Sequence, residues 1–89
     1  MRIIRRTTRF RKDFKRMLKR GADERAFMRI VTLLANDESL PESCHPHMLS
    51  GNWYGYWECH ITPDWLLIYE LPDGELILVR TGTHADLFR

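Results

Sequence analysis

Three apolar runs in the second half of the chain, separated by two short turn sequences, most constrain the fold. The runs cover residues 53–61, 64–71 and 75–82. Each run is rich in aromatic and β-branched residues, which favour strands. Asp73-Gly74 separates the last two runs, and both residue types accept the positive φ angles of a two-residue hairpin turn. Together with a second turn at Thr62-Pro63, this pattern predicts an antiparallel meander of three strands.

A short strand and two amphipathic helices are predicted before the meander. Residues 2–8 favour a strand because their isoleucines and threonines are β-branched. Apolar residues recur at helical spacing over 9–20, where Gly21 is expected to end the helix, and Asp23 is the expected N-cap of a second helix. The two apolar stripes consist of Phe10, Phe14, Met17 and Leu18, and of Phe27, Ile30, Val31 and Leu34. The order β-α-α-β-β-β predicts an α+β fold, in which an N-terminal helical hairpin packs on one face of an antiparallel sheet.

Residues 37–52 are predicted to form a long loop between the second helix and the meander. The segment contains two prolines, three serines, a glycine and an asparagine, which interrupt regular structure. Loops of this length in a compact domain are more often functional than idle. This loop carries His45 and His47, which it can deliver to the end of the sheet.

Length and composition indicate one small cytoplasmic domain. The 89 residues suffice for a single domain at 1–89 with one modest core. The apolar runs are much shorter than the roughly 18 residues of a membrane helix. No apolar segment of a signal peptide follows the basic start, so we expect the protein to stay in the cytoplasm. Thiols are usually reduced there, and Cys44 and Cys59 are expected to be free.

Positive charge is concentrated near the start of the chain. Residues 1–20 hold ten basic residues and one acidic residue, whereas residues 21–89 hold four basic and eleven acidic residues. A folded segment of this charge is expected to bind phosphates or an acidic partner. The candidate RNA-binding residues on the predicted helix are Arg11, Lys12, Lys15 and Arg16. The alternative is an ordinary solvated helix face.

The two turns also predict which residues lie opposite one another in the meander. The second turn sets Tyr69 opposite Leu78 and Trp65 opposite Gly82, and the first sets His60 opposite Trp65. Neighbouring strands lie about 4.8 Å apart, so side chains at this end of the meander are expected within about 10 Å of one another. The residues expected to converge there are His60, Asp64, Trp65 and His84 from the meander, His47 from the loop and Phe88 from the tail.

These residue types suit the cleavage of RNA by its own 2′-hydroxyl. The reaction needs a base for the hydroxyl, an acid for the leaving oxygen and positive charge for the phosphorane. Imidazoles titrate near neutral pH and can serve as base and acid, and Asp64 can orient an imidazole or act as a base. Arg80 can hold phosphate oxygens, and Trp65 or Phe88 can stack on unpaired bases.

Each assignment has a structural alternative. The three tryptophans can be core residues, and Arg80 can be an ion-pair partner of Asp64 or Glu70. Zinc-binding residue types are also present, at Cys44, His45, His47, Cys59 and His60. They lack the usual spacing of a zinc motif, so neither a metal nor another cofactor is predicted.

Three motifs together closely resemble the YafQ branch of the RelE/ParE toxin superfamily. They are HMLSG at 47–51, CHITPDWLLIY at 59–69 and RTGTHADLF at 80–88. Over residues 47–88 the resemblance includes the motifs themselves. Over residues 1–36 it is limited to the order of the predicted elements. It implies the superfamily's small α+β fold and the activity of an mRNA interferase from a type II toxin–antitoxin pair. Members of this branch cleave mRNA in the ribosomal A site without a metal.

The resemblance also implies site residues and partners. The motif histidines and aspartate, implied to be catalytic, are His47, His60, Asp64 and His84. The closing aromatic of the last motif is Phe88, and Arg80 and Trp65 fall on motif positions too. The implied partners are mRNA, the ribosome and a cognate antitoxin, expected to be of the ribbon-helix-helix type, with no membrane.

One position departs from the superfamily pattern. Many members have an Arg or Lys on the strand before the turn, where this chain has Tyr56-Trp57-Glu58. Phosphate stabilisation would then depend more on Arg80 and on the basic N-terminal residues. A second hypothesis also stays open, in which the chain is a non-catalytic RNA- or protein-binding module that acts through the basic helix.

Overall fold

The computed structural model describes residues 1–88, which contain five strands and three α-helices. The strands are β1 (Ile3–Arg6), β2 (His47–Met48), β3 (Trp57–Thr62), β4 (Trp65–Glu70) and β5 (Glu75–Gly82), and the helices are α1 (Thr8–Lys19), α2 (Glu24–Ala35) and α3 (His84–Phe88). Two single turns of 3₁₀ helix, Glu42–Cys44 and Gly51–Trp53, flank β2. None of the helices in this part of the chain is long and apolar enough to cross a membrane.

The strands form one sheet in the order β1-β5-β4-β3-β2. The predicted meander is present, because β3, β4 and β5 pair antiparallel. β1 joins the edge beside β5 in parallel, so the sheet is mixed. Two helices connect β1 to the rest of the sheet, and a connection of this length permits parallel pairing, which a short hairpin does not. The predicted α+β fold is confirmed, and the parallel β1–β5 pair is an addition that local sequence did not predict.

Capping residues set the helix boundaries close to the predicted ones. The Thr7 hydroxyl accepts a hydrogen bond from the backbone N–H of Phe10 at 2.9 Å, which starts α1. Gly21 follows α1 with a φ of +90°, a conformation that glycine adopts without strain. Asp23 caps α2, as predicted, by accepting from the backbone N–H of Arg25 at 2.9 Å. Local sequence therefore fixes the helical hairpin.

The main core lies between the helical hairpin and one face of the sheet. Its members include Phe10, Phe27, Trp65, Leu67, Tyr69 and Leu78. The rings of Phe27 and Trp65 stack with their centroids 5.9 Å apart. A smaller cluster of Leu66, Ile68 and Leu87 covers the opposite face. β4 is therefore buried on both faces, which explains its continuously apolar sequence.

A bulge between β4 and β5 changes the register that the turn sequence predicts. Tyr69 lies opposite Leu78, as predicted. Beyond this pair the register shifts, so that Gly82 lies opposite Leu66 rather than Trp65. A bulge places an extra residue in one strand and redirects the side chains that follow it.

The register between β3 and β4 also differs from the predicted one. His60 lies opposite Leu66 rather than Trp65, because the turn lies at 63–64, where Thr62 pairs with Trp65, and the register shifts by one residue between Thr62 and His60. The prediction of a Thr62-Pro63 loop is wrong by one residue. His60 nevertheless stays at the same end of the sheet.

Two features of the segment before β3 differ from the prediction. The strand predicted from residue 53 begins at Trp57, because a 3₁₀ turn ends at Trp53 and Gly55 follows with a φ of +95°. Within the predicted loop, β2 pairs His47 with Glu58 at the edge of the sheet. This pairing fixes the loop histidine on the sheet.

Candidate active site

The turn between β3 and β4 contacts the first residue of α3. Asp64 Oδ1 accepts a hydrogen bond from the backbone N–H of His84 at 3.2 Å and lies 2.9 Å from His84 Nδ1. Hydrogen bonds from the side chain and then the backbone of His84 lower the pKa of the Asp64 carboxyl. The carboxylate is ionised at neutral pH and can only accept, so His84 Nδ1 carries a hydrogen. Nε2 is then the ring atom left for a substrate.

A capping box holds His84 in this position. Thr83 Oγ1 accepts from the backbone N–H of Asp86 at 3.1 Å, and Asp86 Oδ2 accepts from the backbone N–H of Thr83 at 2.9 Å. Arg20 donates to the same carboxylate at 2.8 Å, and this bond is the main cause that holds the pKa of Asp86 well below its ordinary value. A Cβ at Gly82 would lie 2.9 Å from the Asp86 Cβ, so glycine is required there.

Three imidazoles form a row beside this turn. The centroid of the His60 ring lies 5.7 Å from that of His84 and 6.0 Å from that of His45. A cleft of about 380 Å³ opens against His60 and is lined by His45 and residues 61–63. The structure thus brings together His60, Asp64 and His84, although the strand register differs from the predicted one.

His47 reaches the same cluster through the edge strand β2. Its Nδ1 lies 2.7 Å from the carbonyl oxygen of His45, and its Nε2 lies 3.3 Å from Glu58 Oε1. The same carboxylate oxygen is 4.0 Å from His60 Nε2. In the sequence Glu58 stands out only as a departure from the superfamily pattern. Its spacing of two residues from His60 is the signal that places both side chains on one face of β3.

Arg80 binds a buried carboxylate of α1. Its Nε and Nη2 lie 2.9 and 3.0 Å from the two oxygens of Asp13. Asp13 also accepts from the backbone N–H of Thr81 at 3.3 Å. The hydrogen bond to Asp13 is the main cause that raises the pKa of Arg80. Asp13 therefore takes the place of Asp64 and Glu70, the ion-pair partners that the sequence suggested, because α1 packs on β5.

The two residues predicted to stack on bases differ in exposure. Trp65 is 2% exposed, and its indole Nε1 donates to Thr81 Oγ1 at 2.8 Å. The prediction that Trp65 contacts RNA is wrong, because its ring is enclosed in the main core. Phe88 is 44% exposed, and its ring centroid lies 6.5 Å from that of Trp53 beside the smaller cluster. Phe88 is therefore accessible to a base.

The basic helix α1 presents most of its charge to solvent. The exposed residues among the predicted RNA-binding set are Arg11, Lys12, Lys15 and Arg16. Arg16 is partly engaged, since its Nη2 lies 3.3 Å from Asp13 Oδ1. Arg20, just after α1, binds Asp86 of α3. The basic face therefore extends to the helix that carries His84.

The zinc-binding residue types do not gather into a metal site within residues 1–88. No group of three or more His, Cys, Asp or Glu side chains there is arranged to hold a metal ion. Cys44 and Cys59 are free, as predicted, and buried. Burial is the main cause that raises the pKa of the Cys59 thiol far above its ordinary value, so this thiol stays protonated and is a poor metal ligand.

Fold and site together define the class of this protein. It is a small α+β protein that holds imidazoles and carboxylates at one end of an antiparallel meander, where they can give and take protons. The family model described as "Bacterial toxin of type II toxin-antitoxin system, YafQ" matches residues 2–89. The chain therefore belongs to the YafQ family of toxins, which confirms the predicted resemblance.

Individual relatives agree with this assignment. The chain is 45% identical over 80 residues to the mRNA interferase toxin YafQ of Escherichia coli strain K12, an alignment that covers 89% of this chain and 87% of that protein. It matches a chain of the E. coli DinJ-YafQ toxin-antitoxin complex with a TM-score of 0.89 at 43% identity, covering 99% of this chain and 98% of that chain. It matches a metal-bound toxin from Helicobacter pylori with a TM-score of 0.93 at 36% identity, covering 99% of this chain and 100% of that chain.

Proposed function

We propose that this protein is the toxin of a type II toxin–antitoxin pair and acts as an mRNA interferase, an endoribonuclease that cleaves mRNA in the ribosomal A site. Membership of the YafQ family and the similarity to the E. coli interferase support this proposal. The observation that carries the chemistry is the contact of Asp64 Oδ1 with His84 Nδ1 at 2.9 Å, beside the ring of His60.

The contacts favour separate proton roles for the two neighbouring imidazoles. His84 is bound through Nδ1 to an ionised carboxylate, which stabilises the ring when it carries a second proton. His84 is therefore suited to donate a proton from Nε2. His60 lies 5.7 Å away between ring centroids and is suited to accept one.

Cleavage then follows from two proton transfers and one displacement. His60 takes the proton of the 2′-hydroxyl, and the hydroxyl oxygen attacks the adjacent phosphorus. The bond from phosphorus to the 5′-oxygen breaks, and His84 gives its proton to that oxygen. The products are a 2′,3′-cyclic phosphate and a 5′-hydroxyl end. His47, which meets the same carboxylate as His60, is the second candidate base.

Positive charge and base stacking would come from residues around this cluster. Arg80 is bound to Asp13 through Nε and one N–H of Nη2, so a contact with a phosphate oxygen would use Nη1 or the second N–H of Nη2. Phe88 would stack on a base beside the scissile bond. The residues proposed to attract the RNA backbone are Arg11, Lys12, Lys15 and Arg16.

A cognate antitoxin completes the proposal. It would be of the ribbon-helix-helix type, with an acidic segment that covers the exposed basic face of α1. The relative solved as a toxin-antitoxin complex supports the existence of such a partner. Action on ribosomes would place the protein in the cytoplasm. Co-purification with the product of an adjacent gene tests the partner. Lys12→Glu with Lys15→Glu should weaken the complex, and undiminished binding would refute a shared surface.

Cleavage by side-chain proton transfer requires no metal, so we propose that it survives chelation. The existence of a metal-bound relative makes this test informative. Cleavage by the purified toxin is expected to be equal with and without EDTA. A loss of cleavage in EDTA that zinc or copper restores would overturn the metal-independent reaction.

Mapping of mRNA ends on programmed ribosomes tests the proposed catalysis. Cleavage is expected to fall by about a hundredfold or more in His84→Ala and in Asp64→Asn. The first variant loses the proton donor, and the second loses the carboxylate that orients it. The matched control Asp73→Asn changes an exposed turn aspartate and should cleave normally. Full cleavage by His84→Ala would contradict its assignment. Growth arrest without any mRNA cleavage would instead support the non-catalytic binding module.

A further inference from the structure

Glu58 is a buried carboxylate that lies against two candidate bases. The residue is 5% exposed. Its Oε1 lies 3.3 Å from His47 Nε2 and 4.0 Å from His60 Nε2. An ionised carboxylate at this depth is strongly destabilised unless positive charge lies beside it. The two imidazoles are the groups placed to supply that charge.

The orientation of His47 indicates where a proton is needed. Its Nδ1 lies 2.7 Å from the carbonyl oxygen of His45. A carbonyl oxygen can only accept, so Nδ1 carries a hydrogen. In a neutral ring, Nε2 would then direct a lone pair at the negatively charged Oε1 of Glu58. A second proton taken from the 2′-hydroxyl would remove this repulsion, so the carboxylate favours proton uptake by the ring.

Most of the ionisable groups around Glu58 and its two imidazoles have partners of their own. The ionisable groups that border it are His45 in the loop, Asp64 in the turn, His84 on α3 and Arg80 on β5. Asp64 binds His84. Arg80 binds Asp13. The neighbour of the buried carboxylate on β4 is Ile68, which is apolar. The carboxylate therefore acts chiefly on the two imidazoles that it meets.

We propose that Glu58 is a positioning residue, whose carboxylate orients His47 and His60 and stabilises the positive charge that either ring acquires on taking the 2′-hydroxyl proton. This inference rests on the proposed nuclease function. The proton stays on the imidazole, and Glu58 neither gains nor loses one. Two carboxylates then have separate roles. The exposed Asp64 orients the proton donor, and the buried Glu58 orients the proton acceptors.

Proton uptake by each imidazole of the free toxin, followed by NMR across pH, measures the effect of Glu58 directly. In Glu58→Gln the midpoints for His47 and His60 are expected to move to lower pH, because the neutral amide no longer stabilises a second proton on either ring. Glu58→Asp withdraws the charge by one methylene and should shift both midpoints less. The matched control is Glu38→Gln, an exposed glutamate beyond α2.

Cleavage on ribosomes across pH provides the second readout. Glu58→Gln is expected to cleave about tenfold more slowly at neutral pH, with the ascending limb of its pH–rate profile moved to lower pH. A merely structural role would lower the rate without moving the limb. Glu38→Gln is expected to leave both the rate and the limb unchanged.

The two readouts separate this inference from the proposed function. A wild-type protein that cleaves no mRNA would refute the nuclease, while the NMR titration would still decide whether Glu58 controls the two imidazoles. Unchanged midpoints in a folded Glu58→Gln variant would overturn the inference. If thermal melting shows that this variant is unfolded, Glu58→Asp decides, and unshifted midpoints there overturn the inference equally.

Discussion

The guanidinium of Arg80 binds the buried carboxylate of Asp13 through two nitrogens and so joins β5 to α1. A planar contact of this kind fixes the orientation of an arginine more tightly than a single hydrogen bond. It also offsets part of the charge that a phosphate would otherwise meet. The pair therefore stabilises the packing of α1 on β5. It also holds the Arg80 guanidinium in one orientation for any contact with RNA.

Asp13→Asn is expected to destabilise the fold by about 3–5 kcal/mol, because it leaves the Arg80 charge in a site where the side chain is only 14% exposed. Asp37→Asn is the matched control, since it breaks an ion pair with Arg2 in which the carboxylate is 67% exposed. This exposed pair is expected to contribute less than about 1 kcal/mol. Urea unfolding measures both changes, and similar losses in the two variants would contradict the prediction.

Gly82→Ala is expected to displace α3, because the new Cβ would lie 2.9 Å from the Asp86 Cβ. His84 and Phe88 would move with the helix, so mRNA cleavage should fall by about tenfold or more. In Gly55→Ala the added Cβ would meet no heavy atom within 4 Å, so the change adds only local backbone strain at a φ of +95°, and α3 should stay in place. Amide NMR shifts of α3 and cleavage assays report the outcome. Wild-type shifts in Gly82→Ala would show that the contact is not restrictive.

Stability is expected to decrease in acid, since the pKa of Asp86 is held well below its ordinary value by Arg20. A carboxyl with a lowered folded-state pKa stabilises the fold above its unfolded pKa near about 4, and this contribution is lost as pH falls through the folded-state pKa. The free energy of unfolding should therefore fall from about pH 4 downwards. Arg20→Gln should flatten this dependence, whereas Arg25→Gln, at an exposed site on α2, should not. Equal slopes would exclude the Arg20–Asp86 bond as the cause.

Lys12→Gln combined with Lys15→Gln is expected to weaken ribosome binding without changing the fold, because both side chains are exposed. Each lysine that contacts a phosphate should reduce the slope of log K against log salt by about one. The measurement is ribosome affinity across salt concentrations, with Arg25→Gln on α2 as the control for charge. A double variant with the wild-type slope would exclude α1 from the RNA contact.

Local features of the fold were predictable because their causes lie within a few residues. Asp23 caps α2 through neighbouring backbone N–H groups, and the turn at 73–74 joins β4 to β5. Pairings between distant segments have no local cause. The parallel contact of β1 with β5 joins segments about 70 positions apart, and the bulge in β5 is visible only in its pairing with β4.

The same distinction applies to the site. His60, Asp64 and His84 were predicted to converge, because two turns place them at one end of the meander. Trp65 was placed wrongly, since a strand that is apolar on both faces has no alternation to show which side chains are enclosed. Asp13 was missed as the partner of Arg80, because the two residues lie 67 positions apart in sequence. Glu58 was missed because its contact with His47 depends on the edge strand β2, which lies in a segment predicted to be a loop.

The parallel β1–β5 contact sets the order in which the protein can be completed. Arg2 donates to the carbonyl of Glu75, 73 positions further along the chain. During synthesis β1 therefore has no strand partner until β5 has emerged, and such long-range pairings form slowly. α3, which carries His84 and Phe88, is made later still. A nascent chain thus lacks both the β1–β5 pair and the complete histidine cluster until β5 and α3 have emerged.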